Sequence, residues 1–219
     1  PDRMYLEMNC GPMIRRGIKN AIWEMEYLFK ERNAKLCKVY QPEDEGPIND
    51  RRLWPFYEKA QELGVPLTVH TGVSYVAPQP NSFCKVEQLD DVCNDFPDLQ
   101  IIAYHAGWPD TEVLAALCGK HRNLYMSISG VIGYYERAPY RGYHAIGTAM
   151  DWMPSEKIVM GLDLPFDDMK RAVDYIRNFE MPEELQQQWG YRPLSSEDKA
   201  NILGLNLARI TGIDPSKRI

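Results

Sequence analysis

The 219-residue sequence lacks any excess of positive charge: 25 Lys and Arg stand against 31 Asp and Glu, a formal net charge of −6. A nucleic-acid-binding face needs a basic stripe, so that class is excluded. Long apolar runs are missing too. Stretches such as Ile101–Tyr104 and Gly130–Tyr135 fall far short of the roughly 18 residues of a membrane span. The cysteines, Cys10, Cys37, Cys84, Cys93 and Cys118, are odd in number and contain no CxxC pair. That excludes a disulfide scaffold and makes a reducing cytoplasm the expected location. No repeat of fixed period and no low-complexity tract occurs. With 44% hydrophobic and 26% charged residues, the chain has an ordinary globular mix, which rules out disorder, collagen and coiled coil. The first residues do not read as a signal peptide.

What is present is an alternation. Six apolar, β-leaning runs recur: Met4–Asn9, Leu36–Tyr40, Pro66–His70, Gln100–His105, Leu124–Ile128 and Ile158–Leu162. Most are continuous rather than alternating, as in strands buried on both faces. Helical spacing fills the intervals over Met13–Arg32, Leu53–Leu63, Val86–Phe96 and Thr111–His121, with Asp110 as N-cap of the last. Asp168–Phe179 follows the sixth run, and Glu197–Thr211 starts from Ser195 or Ser196. Strands alternating with helices predict βαβ units and a parallel sheet. A doubly wound sheet would advertise a Gly-rich first turn, which is missing, so an α/β TIM barrel is expected, residues 1–219 forming one domain. Two long connections, Gln41–Arg52 and Gly130–Pro154, are read as loops on the catalytic face.

Three strand ends share one punctuation: Val69-His70-Thr71-Gly72, Tyr104-His105-Ala106-Gly107-Trp108-Pro109, and Met160-Gly161-Leu162-Asp163. Two of the four histidines therefore close strands in a His-x-Gly turn. Such positions project into a barrel mouth. Imidazole and carboxylate converging there form a nitrogen/oxygen site suited to zinc or another divalent metal. The bland readings are loop capping by the histidines and helix capping by Asp163. His121 reads as a surface residue at a helix end, and His144 as a solvated loop residue.

The strings VHTG, YHAGWP and GLDLPFDD, with LWPFYEKAQELGVPLTVHTG before the first and LSSEDKANILGLNLARITGI closing the chain, resemble the amidohydrolase-related family. These are metal-dependent (β/α)8-barrel hydrolases and decarboxylases of the aminocarboxymuconate-semialdehyde decarboxylase type. The resemblance covers nearly the whole chain. It implies that His70 is a metal ligand, that His105 is the catalytic or substrate-polarising histidine, and that Asp163 both binds metal and accepts a proton from water. Leu162 stands where the family commonly has Ser. The family also opens with a His-x-His or Glu-x-His pair on its first strand, and no such pair is found here. The six runs match the third to eighth strands of eight. The expectation is an N-terminal part, with two strands and two ligands, that is missing from this sequence or lies on another polypeptide. Met4–Asn9 and Ile158–Leu162 would then be open edges, not neighbours. Some amidohydrolases carry a carboxylated bridging lysine at the position of Lys38; a lysine paired with Glu7 is the plainer reading.

The function expected is hydrolysis of a small carboxylate, ester, lactone or amide by water activated on one divalent ion, zinc first. Non-oxidative decarboxylation of an aromatic or unsaturated acid is the alternative, and a non-catalytic barrel remnant is a third reading of another class. Trp108, Tyr134, Tyr135 and Phe166 could wall a substrate, and Arg137 or Arg141 could hold a carboxylate. The expected partners are a small-molecule substrate and either a second copy or a completing N-terminal segment.

Overall fold

The computed structural model describes residues 4–76, 78–130, 138–163 and 168–216. Through them run six strands: β1 Glu7–Asn9, β2 Leu36–Val39, β3 Leu67–Val69, β4 Ile101–Ala103, β5 Leu124–Ser127 and β6 Ile158–Val159. They pair in chain order, each parallel to the next. Every expected strand is in place, though only two to four residues remain in each ladder. The runs overshoot because His70, Tyr104 and Leu162 leave the ladder for the loops. β1 and β6 are the two edges, and among the described residues they do not pair with each other. The sheet is thus an open arc of a β/α barrel rather than a closed six-stranded ring.

Helices form the connections. They are α1 Met13–Arg16, α2 Ile18–Arg32, α3 Gln41–Asp44, α4 Trp54–Leu63, α5 Gln88–Asp95, α6 Thr111–Lys120 and α7 Pro139–Trp152. After β6 come α8 Met169–Arg177, α9 Glu183–Trp189, α10 Ser196–Ala200 and α11 Asn206–Thr211. α4 opens with Pro in its first turn and stops at Gly64, whose φ is 67°, as its sequence predicts. The expected helix Met13–Arg32 is two pieces, broken at Gly17. Asp110 precedes α6 but makes no side-chain capping bond. Ser195 caps α10 in a reciprocal box with Asp198.

The expected loop Gly130–Pro154 is corrected: much of it is α7. Its Pro139, Gly142 and Gly147 read as loop residues. Gly142, Ala145, Gly147 and Ala149 are nevertheless buried, and a Cβ at Gly147 would lie 2.4 Å from the Tyr191 ring. Small residues there permit close packing, a tertiary gain that outweighs weak helix propensity. Within Gln41–Arg52, likewise, the first residues form α3.

Strand residues alternate between two environments. Met8, Cys37, Val39, Leu67, Val69, Ile101, Ala103, Leu124, Met126 and Ile158 face the helices and form the core. Glu7, Asn9, Lys38, Thr68, Ile102 and Tyr125 share the opposite face, by the register of the ladders. That concave face carries polar side chains up to the strand ends where the candidate site lies. Among the described residues no helix is long and apolar enough to cross a membrane.

Candidate functional site

His70 follows β3 and is held on several sides. Gln41 Nε2 donates to its carbonyl oxygen at 3.0 Å. The Tyr40 ring meets the imidazole edge-on, centroids 5.2 Å apart, and Tyr40 Oη is hydrogen-bonded to Ser74 Oγ at 2.7 Å. Two residues on, Gly72 has φ +80°, and a Cβ there would lie 2.1 Å from the Trp108 carbonyl oxygen. Only glycine lets the loops after β3 and β4 come this close. Val73 N–H donates to the same Trp108 oxygen at 3.0 Å.

His105 follows β4 in a left-handed turn. His105, Ala106 and Gly107 have φ of 62°, 49° and 64°. For the two non-glycine residues this costs about 1–2 kcal/mol each, offset by bonds from Trp108 N–H to the His105 carbonyl and from Asp110 N–H to that of Gly107. Backbone strain of this sort concentrates at functional sites. The ring of His105 lies against that of His70: Nε2 of His105 is 3.1 Å from Nδ1 of His70.

The hydrogen bonds decide where the protons sit. His105 Nδ1 is 3.2 Å from the carbonyl oxygen of Ser129, which can only accept, so Nδ1 carries the hydrogen. With Nε2 of His105 as the acceptor, Nδ1–H of His70 donates to it. Nε2 of His70 is left with a bare lone pair. That atom is buried and, among the described residues, has no hydrogen-bond partner. Burial first, then His105 and Lys38, lower the pKa of His70 to about 3, so the imidazole is neutral at pH 7. A buried, neutral imidazole nitrogen with an unused lone pair is a metal-ligating group.

Asp163 reaches the same place from the sixth strand. Gly130, at φ +70°, lies between it and His105: a Cβ on Gly130 would be 3.0 Å from His105 Nδ1 and 3.5 Å from Asp163 Oδ2. His70, His105 and Asp163 therefore share one end of the arc. Among the described residues no three His, Cys, Asp or Glu side chains come close enough to form a metal cage. The donor types suit a divalent ion, yet the described residues bring together only part of a coordination shell.

Trp108 is half-buried beside His105, and the Arg141 guanidinium lies 5.7 Å from its ring centroid. Tyr134, Tyr135, Arg137 and Phe166 fall outside the described residues. Other expectations are corrected. His121 is buried at 7% exposure, with Nε2 hydrogen-bonded to Asp90. His144 lies on α7, packed against Trp189 and hydrogen-bonded to Tyr191 Oη at 3.1 Å. Glu7 does not pair with Lys38; its Oε1 accepts from Tyr104 Oη at 2.6 Å and from Thr68 Oγ1. Sequence reasoning missed Ser129 and Gly130, although Ser-Gly after β5 repeats the glycine punctuation of the histidine strands. It also missed Tyr40 and Gln41, for which no local signal exists.

An arc of parallel β/α units with imidazoles and a carboxylate at its carboxyl end is the architecture of part of a β/α barrel. The chain belongs to the amidohydrolase family, whose model matches residues 12–213. Among solved structures, an uncharacterised TIM-barrel protein from Bordetella bronchiseptica is similar at 21% identity and a TM-score of 0.71, covering 89% of this chain and 63% of that one. A dihydroxybenzoic acid decarboxylase from a Polaromonas species, solved with manganese and the inhibitor 2-nitroresorcinol, is similar at 16% identity and TM-score 0.63, covering 94% of this chain and 69% of that one. The 4-oxalomesaconate hydratase of Rhodopseudomonas palustris is similar at 21% identity and TM-score 0.61, covering 89% and 61%. This chain thus spans less than two thirds of the Bordetella and Rhodopseudomonas proteins. At these identities the likeness shows the fold. No curated protein matches significantly.

Proposed function

We propose that this protein is a metal-dependent hydrolase acting on a small carboxylate, ester, lactone or amide. The observation that carries the reading is the buried, unpartnered Nε2 of His70, at the end of the arc shared with His105 and Asp163. His70 and Asp163 would hold one divalent ion, zinc in the first instance. That ion supplies Lewis acidity and brings water activation into the neutral range. The Asp163 carboxylate takes the proton of the attacking water. His105 lies at the same end of the arc, where its imidazole polarises the substrate or stabilises its developing charge. Trp108 provides an apolar wall, for which Tyr134 and Phe166 are further candidates, and Arg137 is the candidate to engage a substrate carboxylate.

A second reading, non-oxidative decarboxylation of an aromatic or unsaturated acid, is favoured by the similarity to the Polaromonas decarboxylase. Donors beyond those the described residues bring together would come from a completing N-terminal segment or from a second copy in a homo-oligomer. The five free, buried cysteines favour a cytoplasmic location.

The test is metal titration with zinc and manganese, followed by product analysis on aryl esters, lactones and dihydroxybenzoates. Ester or lactone opening supports the hydrolase and carbon dioxide release the decarboxylase. Failure to bind either ion overturns both and leaves a non-catalytic barrel.

A further inference from the structure

Lys38 is a cation that the reading above leaves without a task. It projects from β2 onto the concave face, in register with Asn9 on one side and Thr68 on the other. It is half-buried. The carboxylate nearest in sequence logic, Glu7, is occupied by the hydroxyls of Tyr104 and Thr68. Among the described residues Lys38 forms no ion pair. Its Nζ lies 5.4 Å from the centroid of the Tyr104 ring, and Tyr104 immediately precedes His105. Lys38 is also close enough to His70 to oppose its protonation. A half-buried ammonium with an aromatic face on one side and, among the described residues, no counter-ion is poised for an anion from outside.

We infer that Lys38 binds a carboxylate of the substrate on the concave face beneath His70 and His105. The inference rests on the proposed small-molecule site and narrows its ligand to acids. Two features make the position selective. Glu7 is held by two hydroxyl donors and forms no ion pair with Lys38. The Tyr104 ring flanks Nζ, so an acid carrying an unsaturated or aromatic body finds an aromatic surface beside the cation. The ammonium has three donors and no acceptor, so a neutral amide or alcohol of the same shape gains much less there.

The test uses Lys38→Met and Lys38→Arg, with 2,6-dihydroxybenzoate as the acid probe and resorcinol as the same ring without the carboxylate. Glutarate and glutaramide form an open-chain pair. Binding is measured by calorimetry with and without added manganese. Lys38→Met is expected to weaken the acids about tenfold or more, to leave the neutral partners within about twofold, and to be largely rescued by Lys38→Arg. Equal losses for acid and neutral partners would make Lys38 a packing residue and overturn the inference, as would unchanged acid binding in Lys38→Met. A wild-type protein that loads manganese but prefers neither acid over its neutral partner also overturns it, while the metal reading survives. If acid preference persists and depends on Lys38 although no metal binds, the metal reading falls and this one stands.

Discussion

Nε2 of His105 lies 3.1 Å from Nδ1 of His70, joining the ends of β4 and β3 through a single proton. The carbonyl of Ser129 on the far side of His105 sets the direction of that bond. One backbone oxygen after β5 thereby determines which nitrogen of a histidine after β3 is bare.

The two histidines should separate in function. His70→Ala removes the bare nitrogen and should lower zinc or manganese affinity by at least about a hundredfold, more than loss of a supporting group alone. His105→Asn should keep metal affinity within about tenfold while turnover falls by about 10²–10⁴. Metal titration alongside steady-state rates reads both. Unaltered metal binding in His70→Ala, or full turnover in His105→Asn, would refute the assignment.

Gly130 should tolerate no side chain. Alanine in its left-handed conformation costs about 1–2 kcal/mol, and its Cβ would sit 3.0 Å from His105 Nδ1. Gly130→Ala should stay folded with a lower denaturation midpoint and a displaced His105. In 15N-labelled protein the Nδ1–H tautomer signal of His105 should be lost or broadened. An unchanged signal would mean that the Ser129 carbonyl does not hold the ring.

Asn206 should matter to the edge strand. It is fully buried, and its Nδ2 donates at 2.7 Å both to the Ser155 carbonyl and to that of Ile158 in β6. Asn206→Ala leaves two buried acceptors unsatisfied and should cost about 1–3 kcal/mol. Urea denaturation measures it; a change below about 0.5 kcal/mol would show that water replaces the amide.

Asp198 should give an acid-dependent stability term. Its carboxylate accepts from both Nη atoms of Arg192, at 2.7 and 3.1 Å, and from Ser195 N–H at 2.8 Å. Arg192 chiefly, opposed by burial, holds the carboxyl well below the usual range. The unfolded chain takes up this proton near pH 4 while the folded protein still resists it. The stabilisation is therefore complete above about pH 4 and is lost as pH falls toward the folded pKa. With Arg192 46% exposed, solvent screening keeps the ion pair small, so Asp198→Asn should cost about 1–2 kcal/mol at pH 7, mostly through the cap. The gap from wild type should shrink between pH 4 and 2. A gap that is constant with pH would remove the ion from the account.

The order of elements was legible in the sequence because it is written locally. Continuous apolar runs such as Leu67–Val69 mark buried strands, Gly64 marks a helix end, and Ser195 with Asp198 marks a helix start. His70, His105 and Asp163 stood out because each ends a strand beside a glycine, and parallel strands carry their ends to one side. Tertiary structure alone decided the rest. Whether Pro139–Trp152 is helix depended on Tyr191 being there to fill the space over Gly147. Whether His121 is surface or buried depended on Asp90 arriving from α5. The lone pair on His70 depended on a carbonyl 59 positions away in the chain, at Ser129. The isolation of Lys38 depended on two hydroxyls, from β3 and the end of β4, reaching Glu7 first. Local spacing encodes periodicity and turns; it holds no information about which distant group satisfies a given donor, and the site's chemistry is set by those pairings.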